Sequence, residues 1–369
     1  MVLLHYLKWL KENTSIGITI LLKKGGELES DFEKVAPTVH WNTKIRNKFF
    51  SKKLAHKIQR RIFGVKAYMS LPEIMQHKKF DLIYLNTIDA IDQGVYLKEI
   101  FNCPIVCHVH ENEYTLKNGY PGVLSETGRR AISHYIAVSE STKDNLVQNF
   151  GIAAGDITIF NEFIPVQEMK KATVGKEKIK SDLGLNGEFI VGGSGISSWR
   201  KGTDLFIRLA KELNTIEPNN SIKLMWVGKI DDSFQDRYNY EKSRLNLADK
   251  IIFTGQQDQP QNYFQLFDVF TLTSREDPFP LVCLEAAALA KPVICFKDSG
   301  GMVEFLKDVD ELIVPYADVR SMAKTILKLQ KDPSYLMNLG VKVQERVMDF
   351  DVEKVAPRLH QLILSMMLN

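Results

Sequence analysis

Short apolar runs alternate with amphipathic segments along the whole chain. In the first half, strands are predicted by the runs SIGITILL, TVHW, DLIYLN, PIVCHVH and HYIAVS. In the second half, they are predicted by EFIVGGSG, IKLMWVG, KIIFTG, DVFTLTS, KPVICF and ELIVP. Segments with helical periodicity lie between the runs, as in GTDLFIRLAKEL and SMAKTILKLQKD. Strands that alternate with helices predict an α/β fold built on doubly wound, parallel sheets.

Two such series divide the 369 residues into two domains of ordinary size. We predict an N-terminal domain over residues 1–170 and a C-terminal domain over residues 171–345, with the polar, lysine-rich stretch at 166–180 as the interdomain linker. Residues 346–369 carry a helical apolar stripe beyond the last strand–helix unit. We expect this helix to pack back on the N-terminal domain.

The chain starts within a predicted helix, MVLLHYLKWLKEN, whose apolar residues form one stripe. A doubly wound domain normally starts with a strand and a turn before its first helix. The pattern therefore favours an N-terminal domain that lacks its first strand, with about 15 residues missing upstream. The alternatives are a misassigned start at Met1 and a domain that begins with a helix.

Composition is that of an ordinary globular protein. Hydrophobic residues make up 44% and charged residues 25% of the chain, which excludes a disordered or collagen-like protein. No uncharged apolar run reaches the roughly 18 residues of a membrane-spanning helix. The cysteines lie in apolar runs and not in a disulfide framework, which indicates a reducing, cytoplasmic location. They are Cys103, Cys107, Cys283 and Cys295.

Two of these cysteines raise the question of a zinc site. Cys103 and Cys107 stand close to His108 and His110. The order Cys-x3-Cys-His-x-His is not a usual zinc spacing, and the segment has the pattern of a buried strand. We therefore expect no metal ion there.

Positive charge is concentrated in one stretch. The net charge is only +3, yet no acid occurs between Lys34 and Glu73. Within that stretch, residues 44–63 predict a basic amphipathic helix that suits an anionic membrane surface. The alternative is a helix whose apolar side packs on its own domain. The low net charge disfavours nucleic acid as a partner. The apolar positions of this helix are Ile45, Phe49, Leu54, Ile58 and Ile62.

The segment SREDPFPLVCLEAAALAKPVICF predicts a loop, a helix and a strand. Pro280 suits the first helical turn, where its missing N–H would have no partner. The amides of Leu281 and Val282 are then free at a helix N-terminus, which favours an anion. Asp277 and Glu285 flank this helix start. Because two carboxylates would repel a phosphate, they are suited instead to accept hydrogen bonds from ribose or sugar hydroxyls. The alternative is that one acid caps the helix and the glutamate is merely solvated.

A second segment, VGGSGISSWRKGTDLFIRLAKEL, predicts a strand, a glycine-rich turn and a helix. It lacks the third glycine of a dinucleotide-binding motif, and the next strand ends at Lys229 instead of an acid, so a nicotinamide oxidoreductase is disfavoured. The order Lys-Gly-Thr does not fit a P-loop. The turn includes Ser194 and Gly195 and leads to Arg200 and Lys201. Such a turn with two cations suits a diphosphate, and ordinary surface charges are the alternative.

A third segment, PIVCHVHENEYTL, places a histidine at the end of a buried strand. His110 falls at the carboxyl end, where open α/β sheets bind ligands, and His108 lies on the same face of the strand. A structural histidine is the alternative.

Together these segments resemble the family-four retaining glycosyltransferases of the GT-B fold. The resemblance covers nearly the whole chain and includes IAVSESTKDNLVQNFGI, ITIFNEFIP, SGGMVEFL, VPYAD and DFDVEKVAPRL in the family's order. Its most specific mark is an acid followed after seven residues by a glutamate, here Asp277 and Glu285, with aspartate in place of the usual first glutamate. The resemblance implies two Rossmann-like domains across a cleft. The N-terminal domain would bind the acceptor and the C-terminal domain the nucleotide sugar.

The resemblance also implies roles for individual residues. Asp277 would hold the donor sugar's hydroxyls near the reacting carbon, and Glu285 would hold the donor ribose. Arg200 and Lys201 match the pair that neutralises the donor diphosphate. His110 matches a histidine near the donor sugar and is, with Asp277, a catalytic candidate. The other donor-binding candidates are Ser194, Gly195, Gln256 in the loop GQQDQP, Phe279, Leu281 and Val282.

The activity implied is transfer of a sugar, with retention, from a nucleotide diphosphate sugar to a cell-surface glycan or glycolipid precursor. A front-face displacement is expected, with no metal ion and no cofactor. Two departures from the family are expected. Pro280 stands where the family has a glycine, and the family's first strand, with the glycine-rich loop that touches donor and acceptor, has no counterpart in the sequence. The alternative is a catalytically inactive or truncated protein that binds nucleotide sugars.

Overall fold

The computed structural model describes residues 1–41, 72–120, 124–171 and 173–367, so the predicted basic helix at 44–63 lies outside the described residues. The chain forms two compact units. Unit 1 contains residues 1–138, 142–160 and 356–369, and unit 2 contains residues 139–141 and 161–355. The division thus lies at 160/161, whereas the sequence places it at 170/171.

Unit 1 is built on short parallel strands in two sheets. The first sheet pairs β1 with β2, and the second has the order β3-β4-β5-β6. The two sheets share a core, because Leu21 and Val39 pack against the same cluster as Ile83 and Ile105. All residues of β4 are buried, as its continuous apolar run predicts. The strands are β1 Ile20–Leu22, β2 Thr38–His40, β3 Ile83–Leu85, β4 Ile105–Val109, β5 His134–Ala137 and β6 Ile157–Ile159.

Helices pack around these strands. The apolar stripe of the first helix is buried, and its Trp9 ring lies 6.0 Å from the His360 ring of the C-terminal helix. From Ala356 onward that C-terminal helix belongs to unit 1. The helices are α1 Val2–Asn13, α2 Glu29–Val35, α3 Ile91–Phe101, α4 Glu126–Ala131, α5 Glu140–Phe150, which joins unit 1 at Thr142, and the C-terminal helix Val352–Met367.

Unit 2 contains one six-stranded parallel sheet with the order β12-β11-β10-β7-β8-β9. The chain moves outward from β7 in one direction and from β10 in the other. The loops that follow these two neighbouring strands therefore meet at the switch point, where open sheets bind ligands. The strands are β7 Phe189–Ser194, β8 Ile222–Val227, β9 Ile251–Phe253, β10 Val269–Leu272, β11 Val293–Phe296 and β12 Ile313–Val314.

The first two helices of unit 2 lie in the stretch predicted to be the interdomain linker, so that stretch belongs to unit 2 instead. That stretch is attached to unit 2 by a hydrogen bond of 2.9 Å from the Thr173 amide to Asn262 Oδ1. The helices are α6 Val166–Met169, α7 Lys176–Asp182, α8 Thr203–Ile216, α9 Asp232–Arg244, α10 Gln261–Phe264, α11 Leu281–Ala288, α12 Met302–Phe305, α13 Val319–Lys331 and α14 Pro333–Val347. The C-terminal helix is hereafter α15.

Short turns complete the connections. Single 3-10 or π turns occur at Glu73–Met75, Ile88–Ala90, Thr115–Gly119, Ala154–Asp156, Asp310–Leu312 and Met348–Phe350. Within the described ranges, none of the helices combines the length and the apolar character needed to cross a bilayer. The two parallel-sheet units confirm the predicted α/β fold class.

Candidate active site

The turn after β7 is held tightly against the end of β8. Gly195 donates its amide to the Val227 carbonyl at 3.1 Å, and its own carbonyl accepts the Trp226 indole N–H at 2.9 Å. Ser194 is buried and donates its hydroxyl to the same Val227 carbonyl at 2.7 Å. The turn is therefore a fixed backbone platform at the switch point, close to the Lys201 side chain.

Two cations converge on one buried carboxylate. Lys201 Nζ lies 2.6 Å from Asp277 Oδ2, and Arg200 Nη1 lies 3.6 Å from Asp277 Oδ1. Arg200 also donates to the Glu276 carbonyl at 2.9 Å, and the Ser274 hydroxyl donates to Asp277 at 3.0 Å. Only 7% of the Asp277 side chain is exposed. The loops after β7 and β10 thus bring together the residues that the sequence proposes for the diphosphate and the sugar.

Two glycines allow these loops to approach so closely. Gly202 has a φ of 66°, and a Cβ there would lie 1.9 Å from the Thr273 carbonyl oxygen. Gly300 has a φ of 139°, and its Cβ would lie 1.8 Å from the Asp277 carbonyl oxygen. Both positions combine a left-handed backbone with direct backbone contact, so only glycine fits without rearrangement.

Helix α11 begins beside this cluster. Pro280 is the residue before the helix, with a ψ of 117°, and is not in the first turn as the sequence predicts. The extended ψ reflects the entry of the chain from the loop, and helical geometry begins at Leu281. The amides of Leu281 and Val282 fall in the first turn, where an α-helix supplies no acceptor. They are therefore available to an anion.

Not every predicted donor-binding residue has a side chain that is accessible to a donor. Phe279 is 4% exposed, and its ring stacks on Phe350 at a centroid distance of 5.6 Å. Any contact of Phe279 with a donor would therefore be made by its backbone atoms. Gln256 is exposed just after Gly255, whose carbonyl accepts the Gly228 amide at 3.0 Å.

Glu285 lies in the second turn of α11 and is half-buried. Burial raises its pKa from 4.5 to about 7. An acid in this state is poorly solvated at neutral pH, and ligand hydroxyls would supply the hydrogen bonds that water does not.

We expect Glu285→Gln to stabilise the apo protein at pH 8 by up to about 3 kcal/mol, and to change it little at pH 4.5. In the unfolded chain this carboxyl ionises near pH 4.5, whereas the folded protein holds its proton until about pH 7. The ionised form therefore costs stability progressively as the pH rises between these values. Urea denaturation at the two pH values measures the effect. The exposed Glu345→Gln serves as control, and an equal gain at both pH values would contradict the assignment.

His110 belongs to unit 1 and follows β4, as predicted. Its backbone N–H donates to Glu111 Oε2 at 2.9 Å, and its ring lies 4.2 Å from that of His108, centroid to centroid. His108 is buried and hydrogen-bonds the Tyr84 hydroxyl through Nδ1 at 2.5 Å. Burial, assisted by the charge of His110, lowers the pKa of His108 well below its ordinary value. His108 is thus a neutral supporting residue.

Glu111 is a buried acid that is not among the residues predicted from the sequence. Its carboxylate accepts from the Thr87 hydroxyl as well as from the His110 amide. Burial raises the pKa of Glu111 above its ordinary value. The available signal was its position, an acid directly after a strand-end histidine.

In the part of the chain that the structure describes, no group of three or more His, Cys, Asp or Glu side chains is arranged to hold a metal ion. Cys103 and Cys107 are buried free thiols, as are Cys283 and Cys295.

Two sequence families match adjoining parts of the chain. The family described as glycosyl transferases group 1 matches residues 175–346, and glycosyltransferase family 4 matches residues 32–168. The first contains the Arg200–Lys201–Asp277 cluster, and the second contains His110.

Curated relatives are glycosyltransferases of several kinds. The alpha-galactosylglucosyldiacylglycerol synthase of Streptococcus pneumoniae is 28% identical over 60% of this chain and 58% of the relative. A 4-alpha-N-acetylgalactosaminyltransferase of Campylobacter jejuni, whose name specifies a diphospho-undecaprenol substrate, is 25% identical over 59% of this chain and 56% of the relative. The chain thus spans little more than half the length of these relatives.

Solved structures show the same fold over almost the whole chain. The Anabaena protein HepE in complex with UDP-glucose has a TM-score of 0.80 at 19% identity, and covers 99% of this chain and 95% of that one. The sucrose-phosphate synthase of Thermosynechococcus elongatus has a TM-score of 0.74 at 20% identity, with coverage of 98% and 91%. The likeness to solved structures shows the GT-B fold, and the two family matches show that the chain belongs to the group 1 glycosyltransferases.

Proposed function

We propose that this chain is a retaining glycosyltransferase that moves a sugar from a nucleotide diphosphate sugar to a glycan or glycolipid acceptor in cell-surface polysaccharide synthesis. The observation that carries the proposal is the convergence of Lys201 and Arg200 on the buried Asp277 carboxylate at the switch point of unit 2. Solved neighbours with the same fold bind UDP and UDP-glucose, which makes a uridine nucleotide the first donor to test.

The chemistry of the leaving group explains the two cations. Negative charge grows on the diphosphate as the bond to the sugar breaks. Lys201, Arg200 and the first-turn amides of α11 would stabilise that charge, since fixed donors in a partly buried site are effective without reorganisation. Asp277 would meanwhile accept hydrogen bonds from the donor sugar, and Glu285 from the ribose.

We further propose that no metal ion takes part in the transfer. Two fixed cations and a helix start already offer the charge that a divalent ion would supply to a diphosphate. Retention is proposed to occur by front-face displacement, in which the departing phosphate helps the acceptor hydroxyl to lose its proton. His110 stays a predicted catalytic residue on the strength of the family resemblance.

The acceptor is proposed to be lipid-linked. Two relatives carry names that specify a diacylglycerol glycolipid and an undecaprenol diphosphate. Peripheral contact with the inner face of a membrane through residues 44–63 would bring the enzyme to such an acceptor, since the basic amphipathic helix that the sequence predicts there would be attracted to anionic lipid.

The test combines binding with turnover. Thermal unfolding is measured with UDP, GDP and ADP, and the matching nucleotide should add about 2.7 kcal/mol at 100 times its Kd. Glucose, galactose and N-acetylhexosamine donors on that nucleotide are then offered with lipid-linked acceptors, with and without a chelator. Transfer that keeps the anomeric configuration by NMR and survives the chelator supports the proposal.

The outcomes separate the alternatives. Stabilisation by a nucleoside diphosphate without hydrolysis or transfer of any donor would favour an inactive nucleotide-sugar-binding protein. Binding of no nucleoside diphosphate would refute the donor site itself.

A further inference from the structure

Arg275 links the loop after β10 to the turn that carries the two cations. Its guanidinium makes two hydrogen bonds to Asp204, Nη1 to Oδ1 at 2.8 Å and Nη2 to Oδ2 at 2.7 Å. Nη1 also donates to the Trp199 carbonyl at 2.7 Å, and the guanidinium lies 5.0 Å from the centre of the Trp199 ring. One side chain thus contacts both ends of the segment from Trp199 to Asp204.

The backbone of Arg275 contributes as well. Its N–H donates to the Arg200 carbonyl at 2.8 Å, and its own carbonyl accepts the Tyr316 hydroxyl at 3.2 Å. Asp277 follows two residues later. The segment that supplies the carboxylate is therefore attached to the segment that supplies its cations by contacts that do not involve the carboxylate.

The Arg275–Asp204 pair has the features of a fixed contact. The side chains are 16% and 31% exposed, and the paired geometry is bidentate. Burial acts to raise the pKa of Asp204, but the hydrogen bonds and charge of Arg275 outweigh it and hold that pKa below its ordinary value. Because Asp204 neutralises Arg275, the arginine adds little net charge to the neighbouring site.

We propose that Arg275, together with Asp204, is a positioning pair that holds Arg200 and Lys201 in place for the donor diphosphate. This inference rests on the proposed function, because it assigns a purpose to the two cations. It concerns the terminal phosphate in particular. A nucleoside monophosphate, which lacks that phosphate, should depend on the pair much less.

The test compares UDP and UMP affinities by calorimetry in four proteins. These are the parent, Arg275→Lys, Asp204→Asn and the control Glu217→Gln. Lysine keeps the charge of Arg275 but cannot make the two parallel bonds. Glu217 follows the other end of α8 and forms an exposed pair with Lys331, so its removal breaks an ion pair far along the same helix.

We expect Arg275→Lys and Asp204→Asn to weaken UDP binding roughly tenfold, UMP binding less than twofold, and Glu217→Gln to change neither. Asp204→Asn is the decisive variant, because it removes one negative charge near the diphosphate. Simple electrostatics predicts tighter UDP binding for it, whereas loss of positioning predicts weaker binding. The ratio of UDP to UMP affinity within one variant is unaffected by any fraction of unfolded protein.

Unchanged or tighter UDP binding by Asp204→Asn would overturn the inference while leaving the proposed function intact. Equal losses for UDP and UMP would also overturn it, since they indicate a general structural role. If the parent binds none of UDP, GDP and ADP, it is the proposed function that fails, and the inference fails with it.

Discussion

Lys201→Met is expected to slow sugar transfer by about 10²- to 10³-fold. Lys201 Nζ is the closest cation to Asp277, and its side chain is 17% exposed, so little solvent competes with it. Methionine is an unbranched side chain of similar length to lysine, but it lacks the charge that would stabilise the departing diphosphate. UDP affinity should fall by at least about tenfold, since a charge-assisted hydrogen bond is lost.

Two controls separate this effect from misfolding. Lys211→Met changes an exposed lysine of α8 and should leave transfer unaltered. Lys201→Met also removes the nearer of the two cations from the buried Asp277, leaving Arg200 at 3.6 Å and the Ser274 hydroxyl, a loss of up to about 3–5 kcal/mol of stability. The double variant Lys201→Met/Asp277→Asn removes that uncompensated charge, so it should recover stability without recovering transfer. The reference for its activity is Asp277→Asn alone. A double variant that transfers sugar and binds UDP as well as Asp277→Asn does would show that Lys201 serves structure alone.

The sequence predicted the strands of unit 2 well, because each is a short apolar run with a turn signal at its end. It predicted β1 less well. The run SIGITILL spans eight positions, but only Ile20–Leu22 pair as a strand. Apolar character indicates burial, while the extent of pairing depends on the neighbouring strand, which the run itself does not contain.

Strand β6, Ile157–Ile159 at the edge of its sheet, was not predicted. The position of Pro280 was predicted one residue too far into the helix. Proline fits both the first turn and the preceding residue, and its ψ decides between them. Neither choice can be made from local sequence.

In the candidate site too, residues that belong to a local motif were predicted, whereas contacts between segments far apart in sequence were not. The motif spacing indicated Asp277 and Lys201 separately, and the sheet order brought them together. Arg275 and Asp204 were missed, although both are charged residues next to those motifs. Their pairing spans 71 positions of sequence and depends on β7 and β10 being neighbours. Glu111 was missed because burial, which distinguishes it from a surface acid, is a property of the folded unit.

Asp277→Asn is expected to lower transfer by at least about 10²-fold while UDP binding is retained or becomes tighter. The Asp277 carboxylate lies 2.6 Å from Lys201 Nζ and 3.6 Å from Arg200 Nη1. A bound diphosphate must therefore share these cations with Asp277. Asparagine removes the competing charge, which favours the diphosphate, but it also removes the carboxylate proposed to hold the donor sugar.

The conservative variant Asp277→Glu tests whether the acid itself is required. It restores the residue usual in the family and should recover part of the transfer activity. The kcat for transfer and the Kd for UDP are measured on the same preparations, with thermal unfolding to confirm folding. A parallel fall of both quantities in Asp277→Asn would mean that Asp277 only orders the two cations. The opposite changes of kcat and affinity are expected because the same carboxylate competes with the leaving group and holds the sugar.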